Sequence, residues 1–341
     1  MEAATADPRP PSPRSLEGGG ARRLRDRGVE LVLASAAAVS VIALLGIFGV
    51  LVWNAGQGFF VADGLTAASL TAAERASLSP EELAAFEEAA LHQPTIPGFL
   101  TGREWNPTAA KPLWGALGMV VSTLLVTVVS MVFAVPLGVG VAAWLAMAAP
   151  PRVREVLKPI IELLAAIPSV VVGFVGIIVV APALASVFGL GHGLNALNGA
   201  LLLAVMALPT IVSLSEDAIT SVPRDYVQAS LALGADRWQT LVNVVLPAAG
   251  SGIVAACMLG MGRAIGETMT VLMATGNARA FPGSVFDSVR TLTATIAAEL
   301  GEVPHGSAHY HMLFSVGLVL FVLTFLVNVV ADQMLRRGGR G

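Results

Sequence analysis

The chain has 341 residues, of which 55% are hydrophobic and 13% are charged, and its net charge is −3. Soluble domains carry roughly 25% charged residues, so this composition excludes an ordinary soluble protein and predicts a polytopic membrane protein. The single cysteine, Cys257, excludes an internal disulfide. The clustered histidines His305, His309 and His311 are expected in a solvated loop rather than at a metal site, and no metal-ligand spacing occurs elsewhere.

The first segment, 1–28, is rich in proline, glycine and arginine and is predicted to be a disordered basic tail. An apolar run from Leu31 to Val52 follows. Its length is enough to cross about 30 Å of hydrocarbon at about 1.5 Å per residue. It also exceeds the roughly 7–15 apolar residues of a cleaved signal peptide. We therefore expect an uncleaved first transmembrane helix over 29–53.

The next segment, 54–112, contains no apolar span and is predicted to be an extracytoplasmic loop. Capping-box patterns at Thr71 with Glu74, and at Ser79 with Glu82, begin two stretches rich in alanine and glutamate. We expect a short amphipathic helix at each of them.

Five further apolar stretches predict the second to sixth transmembrane helices within a core over 113–332. Pro136 and Pro168 are expected to kink the helices that contain them. The predicted fold is therefore all-α, with six transmembrane helices and a short tail at 333–341. The apolar stretches cover about 115–147, 160–188, 200–215, 241–276 and 312–331.

The lysine and arginine distribution predicts the orientation of these six helices. With both termini inside, the inside segments carry 14 basic residues and the outside segments carry five. The sequence therefore predicts a multi-pass membrane protein whose termini and polar loop 216–240 face the cytoplasm.

The polar loop 216–240 predicts a rigid helical hairpin. Residues Asp225 to Leu233 have the pattern of a short amphipathic helix, and Gly234 is expected to end it in a left-handed conformation. A second short helix is expected to return to the membrane and to break at Pro247. Such a hairpin can dock into a groove on a cytoplasmic partner and transmit force.

The residue spacing of this loop resembles the EAA coupling loop of bacterial ABC importer permeases. That pattern is Glu-Ala-Ala, three residues, Gly, nine residues, Ile, one residue and Leu-Pro, and its spacing is fully kept here. Glutamine, serine and valine replace the Glu, the second Ala and the Ile. An ordinary amphipathic connector is the alternative interpretation. The resemblance implies an ATPase-coupling role for Arg224, Asp225, Gln228, Ala229, Ser230, Gly234, Ala235, Leu246 and Pro247.

Three ionisable residues, Glu162, Arg263 and Glu267, lie within the apolar stretches. Each costs roughly 2.5–3.5 kcal/mol at mid-bilayer, so such residues usually face a cavity or a partner. The four-residue spacing of Arg263 and Glu267 predicts one helical face. The two residues form either a structural ion pair or an anion-pathway arginine held by a glutamate, since an arginine fork matches oxyanions. Glu162 suits either an interfacial or a pathway position.

Several segments resemble permeases of the phosphate-specific ABC transporter, of the PstC type. The Arg-x-x-Gly-Glu-Thr block at 263–268 favours the phosphate branch, and its continuation at 269–277 favours the C-type subunit over its A-type partner. The resemblance covers roughly 22–337, and the insertion at 61–95 is longer than is usual. The resembling segments are Phe99–Pro107, Glu162–Gly173, the coupling loop, Gly260–Asn277 and Arg290–Glu302.

The resemblance implies a type I ABC importer permease fold and a transport subunit that moves phosphate along a pathway containing Arg263, Glu267 and Glu162. It implies a second permease of the PstA type, a cytoplasmic ATPase dimer of the PstB type, a phosphate-binding protein of the PstS type and membrane lipid, but no nucleic acid. The sequence lacks a Gly-x-x-x-x-Gly-Lys-[Ser/Thr] loop. We therefore expect no cofactor on this chain and no enzymatic activity of its own, with ATP and Mg²⁺ bound by the ATPase.

Three other interpretations stay open at this point. A permease for sulfate or molybdate would share the coupling loop, and only the block around Arg263 argues against it. A stand-alone channel or ion-coupled carrier would transport without ATP. A membrane enzyme would need a nucleophile with a base or a metal cluster, and the sequence offers neither.

Overall fold

The computed structural model describes residues 19–63, 79, 94–109 and 111–338. In that part of the chain two short strands, β1 (Trp105–Asn106) and β2 (Leu113–Trp114), pair antiparallel, and the rest of the regular structure is helical. Two π-helical turns cover Gly176–Val180 and Leu241–Val245. The helices are α1 (Gly19–Asp63), α2 (Ile96–Thr101), α3 (Leu117–Met147), α4 (Pro151–Ala165), α5 (Ser169–Val175), α6 (Ala181–Phe188), α7 (Ala196–Thr220), α8 (Arg224–Ala232), α9 (Arg237–Thr240), α10 (Leu246–Ala248), α11 (Gly250–Gly266), α12 (Met269–Ala274), α13 (Leu292–Glu299) and α14 (Ala308–Gly338).

Six segments of the described chain are long and apolar enough to cross a membrane, which confirms the all-α, six-helix prediction. The sixth is a bent pair, Arg237–Ala248 with Gly250–Gly266, whose two parts meet at 71°. A span needs about 20 apolar residues, and each continuous segment reaches that length. The five continuous segments are Gly28–Phe59, Leu117–Met147, Ser169–Phe188, Ala196–Thr220 and Ala308–Val330.

The chain divides into two compact units, one ending at Val50 and the other beginning at Leu51. In the first unit, α1 exposes its large apolar side chains from Val29 to Val50, as a helix surrounded by lipid does. The two amphipathic helices predicted near Thr71 and Ser79 fall on 64–78 and 80–93, outside the described residues. α1 runs from Gly19 to Asp63, so the predicted first span, 29–53, is too short, and the helix extends into both the predicted tail 1–28 and the predicted loop 54–112. Farther along that loop the structure describes the short helix α2 and strand β1.

The centre of the second unit is α7, because α3, α4, α11 and α12 all pack against it. Its residue Ile211 is fully buried between two glycines, Gly138 on α3 and Gly260 on α11. A Cβ atom added at either glycine would lie 2.7 Å from the Ile211 side chain. Small residues at such positions let transmembrane helices approach closely. The close fit of α3, α7 and α11 therefore depends on these glycines.

Both π-helical turns precede a proline at the same distance. Ala181 N–H donates to Gly176 O one residue before Pro182, and Leu246 N–H donates to Leu241 O one residue before Pro247. Proline lacks an N–H and its ring clashes with the carbonyl four residues earlier. A widened turn at that carbonyl relieves the clash, which explains why each span changes its helical geometry there.

The predicted start of the third span, 160–188, was wrong, because the span begins at Ser169. α4 ends at Ala165, and a new helix, α5, starts at Ser169 after Pro168 in an extended conformation. Pro168 therefore separates two helices instead of kinking one, since a proline is well suited to the start of a helix. Pro136, in contrast, lies inside α3, which continues through it from Leu117 to Met147.

Candidate functional site

The coupling loop, 216–240, folds into the predicted helical hairpin. α8 ends at Ala232, and Gly234 has φ +89°, a backbone conformation that favours glycine. Gly234 N–H donates to Leu231 O, and Ala235 N–H donates to Ser230 O. These two bonds form a Schellman motif, which satisfies the last carbonyls of the helix and turns the chain sharply.

The second helix of the hairpin, α9, is fixed at both ends. Asp236 accepts from Gln239 N–H at 2.7 Å, and the Gln239 side chain accepts from Asp236 N–H at 3.1 Å, which completes a capping box. The hydroxyls of Ser230 and Thr240 lie 3.0 Å apart and join α8 to α9. The hairpin is therefore held by its own hydrogen bonds.

The outer face of the hairpin carries large apolar side chains. Leu233 is 89% exposed, Trp238 is 70% exposed and Tyr226 is also exposed. None of these three residues was among those predicted to couple, although a large apolar residue in a polar loop is a recognisable signal of a binding surface. Of the residues predicted to couple, Ser230 and Ala235 are half-buried, while Arg224, Asp225, Gln228, Ala229 and Gly234 are exposed.

The chain bends after the hairpin. The prediction placed the break at Pro247, but α10 includes Leu246 and Pro247, and the 71° bend follows Ala248. The loss of the proline N–H is absorbed by the π-helical turn before it, so the helix continues for one residue beyond Pro247. Motion of the hairpin can reach α11 through this bend.

Ion pairs join α4 to the last turns of α7, next to the hairpin. We call this region, around Glu216, the Glu216 end. Glu216 is 1% exposed and is bonded by Arg154 and, at 2.6 Å, by Lys158. Lys158 also contacts Asp217 at 3.2 Å. The hydrogen bond to Glu216 raises the pKa of Lys158 above its ordinary value, and its burial opposes that rise. Sequence reasoning missed these pairs because their members are about 60 residues apart.

Arg263 and Glu267 do not share a helical face, so that prediction was wrong. α11 ends at Gly266, and Glu267 has an extended backbone, with φ −71° and ψ 131°. No ion pair joins Arg263 to Glu267 or to another carboxylate in the described part of the chain. Arg263 lies in the last turn of α11, where the helix dipole favours a positive charge.

The break after α11 is surrounded by hydroxyl groups. Thr293 Oγ1 donates to Glu267 O at 2.9 Å, and its hydroxyl lies 3.1 Å from that of Thr291. Thr123 Oγ1 accepts from Leu292 N–H at 3.1 Å. These threonines line one narrow seam with Glu267 between α3, α11 and α13. A hydroxyl of the seam thus supplies a partner at the break, because Thr293 bonds the carbonyl of Glu267 just beyond the end of α11.

Glu162 lies on α4, outside the six candidate spans, and is exposed. The sequence placed it within the third span because α4 and α5 were read as one helix. Among the described residues, no ion pair or hydrogen bond joins Glu162 to Arg263 or to Glu267.

A second buried carboxylate, Glu299, lies at the opposite part of the unit, which we call the Glu299 end. Its oxygens accept from Arg290, from Arg279 at 3.4 Å, from Trp105 Nε1 at 2.9 Å and from His309 Nε2 at 2.9 Å. Burial raises the pKa of Glu299, but these hydrogen bonds and the Arg290 charge outweigh it and hold the pKa below its ordinary value. Glu299 thus joins β1, α13, α14 and the segment before α13.

The histidine prediction holds for His305, which is exposed in the turn before α14, but it was wrong for the other two histidines. His309 and His311 lie in the first turns of α14, and both are largely buried instead of belonging to a solvated loop. The sequence offered no signal for this, because the partner of His309 is Glu299 on a neighbouring helix. No group of three possible ligands in the described residues is placed to hold a metal ion.

Comparison with known proteins places the chain in a family. Residues 134–337 match the family described as the binding-protein-dependent transport system inner membrane component. The chain belongs to this family. The match begins within α3 and includes the coupling loop, the broken α11 and the Glu299 end. It confirms the predicted relationship to permeases of binding-protein-dependent importers.

Curated relatives of this inner membrane component come from several bacteria. The chain is 44% identical over 228 residues to the probable ABC transporter permease protein YqgH of Bacillus subtilis, covering 67% of this chain and 74% of that protein. It is 36% identical over 258 residues to the phosphate transport system permease protein PstC of Mesorhizobium japonicum, covering 70% and 78%. It is 35% identical over 278 residues to PstC 1 of Mycobacterium tuberculosis, covering 71% and 82%.

Solved structures share the fold of this inner membrane component. An inward-facing methionine ABC transporter, MetNI, aligns with a TM-score of 0.52 at 21% identity, covering 65% of this chain and 97% of that chain. A bacterial alginate ABC transporter with a pentasaccharide-bound periplasmic protein aligns with a TM-score of 0.56 at 14% identity, covering 93% and 98%. The type I ABC importer permease fold is thereby confirmed.

Proposed function

We propose that this chain is the PstC-type permease subunit of an ATP-driven importer that moves inorganic phosphate across the bacterial cytoplasmic membrane. The permeases of phosphate transport systems to which it is similar support the substrate. Following the lysine and arginine distribution, the termini and the Glu216 end face the cytoplasm, and the Glu299 end faces out.

The observation that carries this proposal is that Arg263 has no ion-pair partner among the described residues. Arg263 lies in the last turn of α11, inside the bent pair that is apolar enough to span a membrane, and it forms no ion pair with a carboxylate among the described residues. An unpaired intramembrane arginine is costly unless it serves a ligand. A phosphate oxyanion is a suitable partner because the planar guanidinium donates two parallel hydrogen bonds to it.

Energy is supplied through the coupling loop. The exposed side chains of Leu233 and Trp238 form the surface that docks on an ATPase dimer, which binds ATP and Mg²⁺ in place of this chain. A rigid hairpin transmits the ATPase motion across the bend after Ala248 to α11 and so to Arg263. This gives alternating access without any chemistry on the permease itself. A second permease of the PstA type and a phosphate-binding protein of the PstS type complete the complex.

The experiment is ATP-dependent uptake of labelled phosphate by the complex, reconstituted with its binding protein in liposomes. We expect Arg263→Gln to lower uptake by about tenfold or more, the value of one charge-assisted hydrogen bond, while the subunits still co-purify. Arg152→Gln is the matched control, since Arg152 is an exposed arginine of α4 that lies outside the pathway. Full uptake by the Arg263→Gln complex would refute the pathway role.

Two further measurements separate the other functions. Unlabelled sulfate or molybdate that displaces labelled phosphate as effectively as phosphate itself would identify a general oxyanion permease. Uptake by the purified chain alone, without ATP or partner subunits, would identify a carrier or channel. We expect neither result.

A further inference from the structure

Three arginines from different segments surround one small cavity at the Glu299 end. Arg103 follows α2, while Arg279 and Arg290 lie in the segment that precedes α13. The cavity has a volume of about 10 Å³. Such a volume holds about one water molecule or one oxygen atom of a larger group. Three positive charges therefore lie around a space that holds about one oxygen atom.

The charges around the cavity do not balance. Glu299 is the carboxylate that contacts the cluster, and it accepts from both Arg279 and Arg290. Arg103 has no ion pair in the described part of the chain and lies over the Phe281 ring, with 5.2 Å from Cζ to the ring centroid. The three guanidinium groups therefore share a single ion-paired carboxylate, Glu299, among the described residues.

The second carboxylate oxygen of Glu299 already accepts hydrogen bonds from other groups. This oxygen accepts from Trp105 Nε1 and His309 Nε2, both at 2.9 Å. Arg279 Nη1 donates a hydrogen bond to Asn106 Oδ1 at 2.8 Å, and this amide oxygen is a neutral acceptor. Burial lowers the pKa of Arg290, and the neighbouring Arg279 charge lowers it further. An added anion would relieve this repulsion, because an opposite charge favours the cationic form.

An open cleft adjoins the cavity and gives access to it. The cleft has a volume of about 340 Å³, and Arg103 and Gly115 line both the cleft and the cavity. Gly115 also lies against Gly102, so that a Cβ atom on Gly115 would be 2.3 Å from the Gly102 carbonyl carbon. Glu104 lines the cleft as well but forms no ion pair with Arg103 among the described residues. Arg103 is the arginine of the cluster that lines both the cavity and the cleft.

We infer that Arg103, Arg279 and Arg290 form an outer binding site for a tetrahedral oxyanion, on the side of the permease opposite the coupling loop. One oxygen of the anion occupies the cavity between the guanidinium groups, and the others face the cleft and Arg103. This inference rests on the proposed function, because inorganic phosphate arriving from outside is taken as the anion. The site is separate from Arg263, which lies on α11.

The test is chemical protection of Arg103 in the intact purified complex without its binding protein. Phenylglyoxal modifies accessible arginines, and peptide mass spectrometry reports the rate at each one. We expect inorganic phosphate to slow modification of Arg103 by about tenfold relative to chloride at equal ionic strength, the value of one charge-assisted bond. Arg152 on α4, exposed and outside the cluster, should react at the same rate in both salts.

Variants of Arg279 provide the second arm. Arg279→Gln removes one charge while Arg290 still pairs with Glu299, so the complex should assemble and the protection of Arg103 should fall to about twofold or less. Arg279→Lys keeps the charge without the planar fork and should give intermediate protection. Equal protection in the wild type and Arg279→Gln would overturn the three-arginine site.

The outcomes separate this inference from the proposed function. If phosphate leaves the Arg103 rate unchanged in a complex that still imports phosphate with ATP, the outer site is refuted and the proposed function stands. If an anionic phospholipid protects Arg103 while inorganic phosphate does not, the cluster binds lipid headgroups and the inference is also refuted. If phosphate protects Arg103 and the complex imports a different anion, the proposed function fails alone.

Discussion

Lys158 Nζ on α4 lies 2.6 Å from Oε2 of Glu216 on α7, and Arg154, one helical turn earlier, bonds the other oxygen of the same carboxylate. Glu216 is almost completely buried, whereas the two cations are about one-third exposed. A buried carboxylate needs such partners, because leaving it unpaired costs several kcal/mol. The surface helix α4 is thus attached to the central helix of the bundle next to the coupling loop.

Glu216→Gln should destabilise the complex by about 2 kcal/mol, discounted from the roughly 3–5 kcal/mol of a fully buried pair because both cations reach solvent. The apparent midpoint of thermal unfolding of the purified complex measures this loss. Asp217→Asn is the control: Asp217 is 64% exposed and contacts only Lys158 among the described residues, so its loss should cost less than about 1 kcal/mol. Equal effects of the two substitutions would contradict the assignment.

Glu299→Gln should weaken the Glu299 end in a pH-dependent way. The folded pKa of Glu299 is lowered, so the stability that its charge contributes is present above its unfolded pKa, about 4.3, and is lost as pH falls through the folded pKa. At pH 7 we expect Glu299→Gln to cost about 2 kcal/mol. The difference from the wild type should shrink as the pH is lowered below about 4.3.

Thermal midpoints measured from pH 7 down to about pH 3, well below the unfolded pKa of Glu299, test this prediction. Glu302→Gln serves as the control, because Glu302 is an exposed glutamate three residues away with no ion pair in the described chain. Its midpoints should follow the wild type at every pH. A constant difference between Glu299→Gln and the wild type across this range would show that the charge of Glu299 is not what stabilises the cluster.

Gly234→Ala should loosen the coupling hairpin. At φ +89° an alanine carries a steric penalty of about 1–2 kcal/mol, and the Schellman bonds that end α8 depend on that conformation. We expect faster amide hydrogen exchange over 224–240 and less ATPase co-purifying with the permease. Gly250→Ala is matched to it, since an added Cβ there meets nothing within 4 Å. Unchanged exchange in Gly234→Ala would contradict this account.

The sequence was most informative where local patterns decide the structure. The six spans follow from apolar length, and the turn at Gly234 follows from its position after an amphipathic helix. Predictions that assumed a continuous helix were wrong: Pro168 starts a helix, and Glu267 lies beyond the end of α11. Hydropathy averages over such interruptions, so it cannot locate them.

The charged clusters could not be predicted for a different reason. Glu216 with Lys158 and Glu299 with Trp105 are partners 58 and 194 residues apart in sequence. A single sequence shows neither pairing, because only the packing of α4 on α7 and of β1 on α13 brings these groups together. His309 was assigned to solvent for the same reason.

Leu233→Ala and Trp238→Ala should weaken ATPase binding while leaving the permease folded. Both side chains are mostly exposed, so their removal creates no cavity within the chain. A hot-spot residue at the centre of an interface contributes about 2 kcal/mol or more, which corresponds to roughly 30-fold in affinity, and tryptophan is enriched among such residues. Titration of the detergent-solubilised permease pair with its ATPase measures the change. Leu100→Ala is matched to Leu233→Ala, because Leu100 is a half-exposed leucine on α2, near the Glu299 end. If Leu233→Ala and Leu100→Ala bind the ATPase equally well, the apolar face of the hairpin does not dock, and the polar residues Arg224, Asp225 and Gln228 would have to provide the contact.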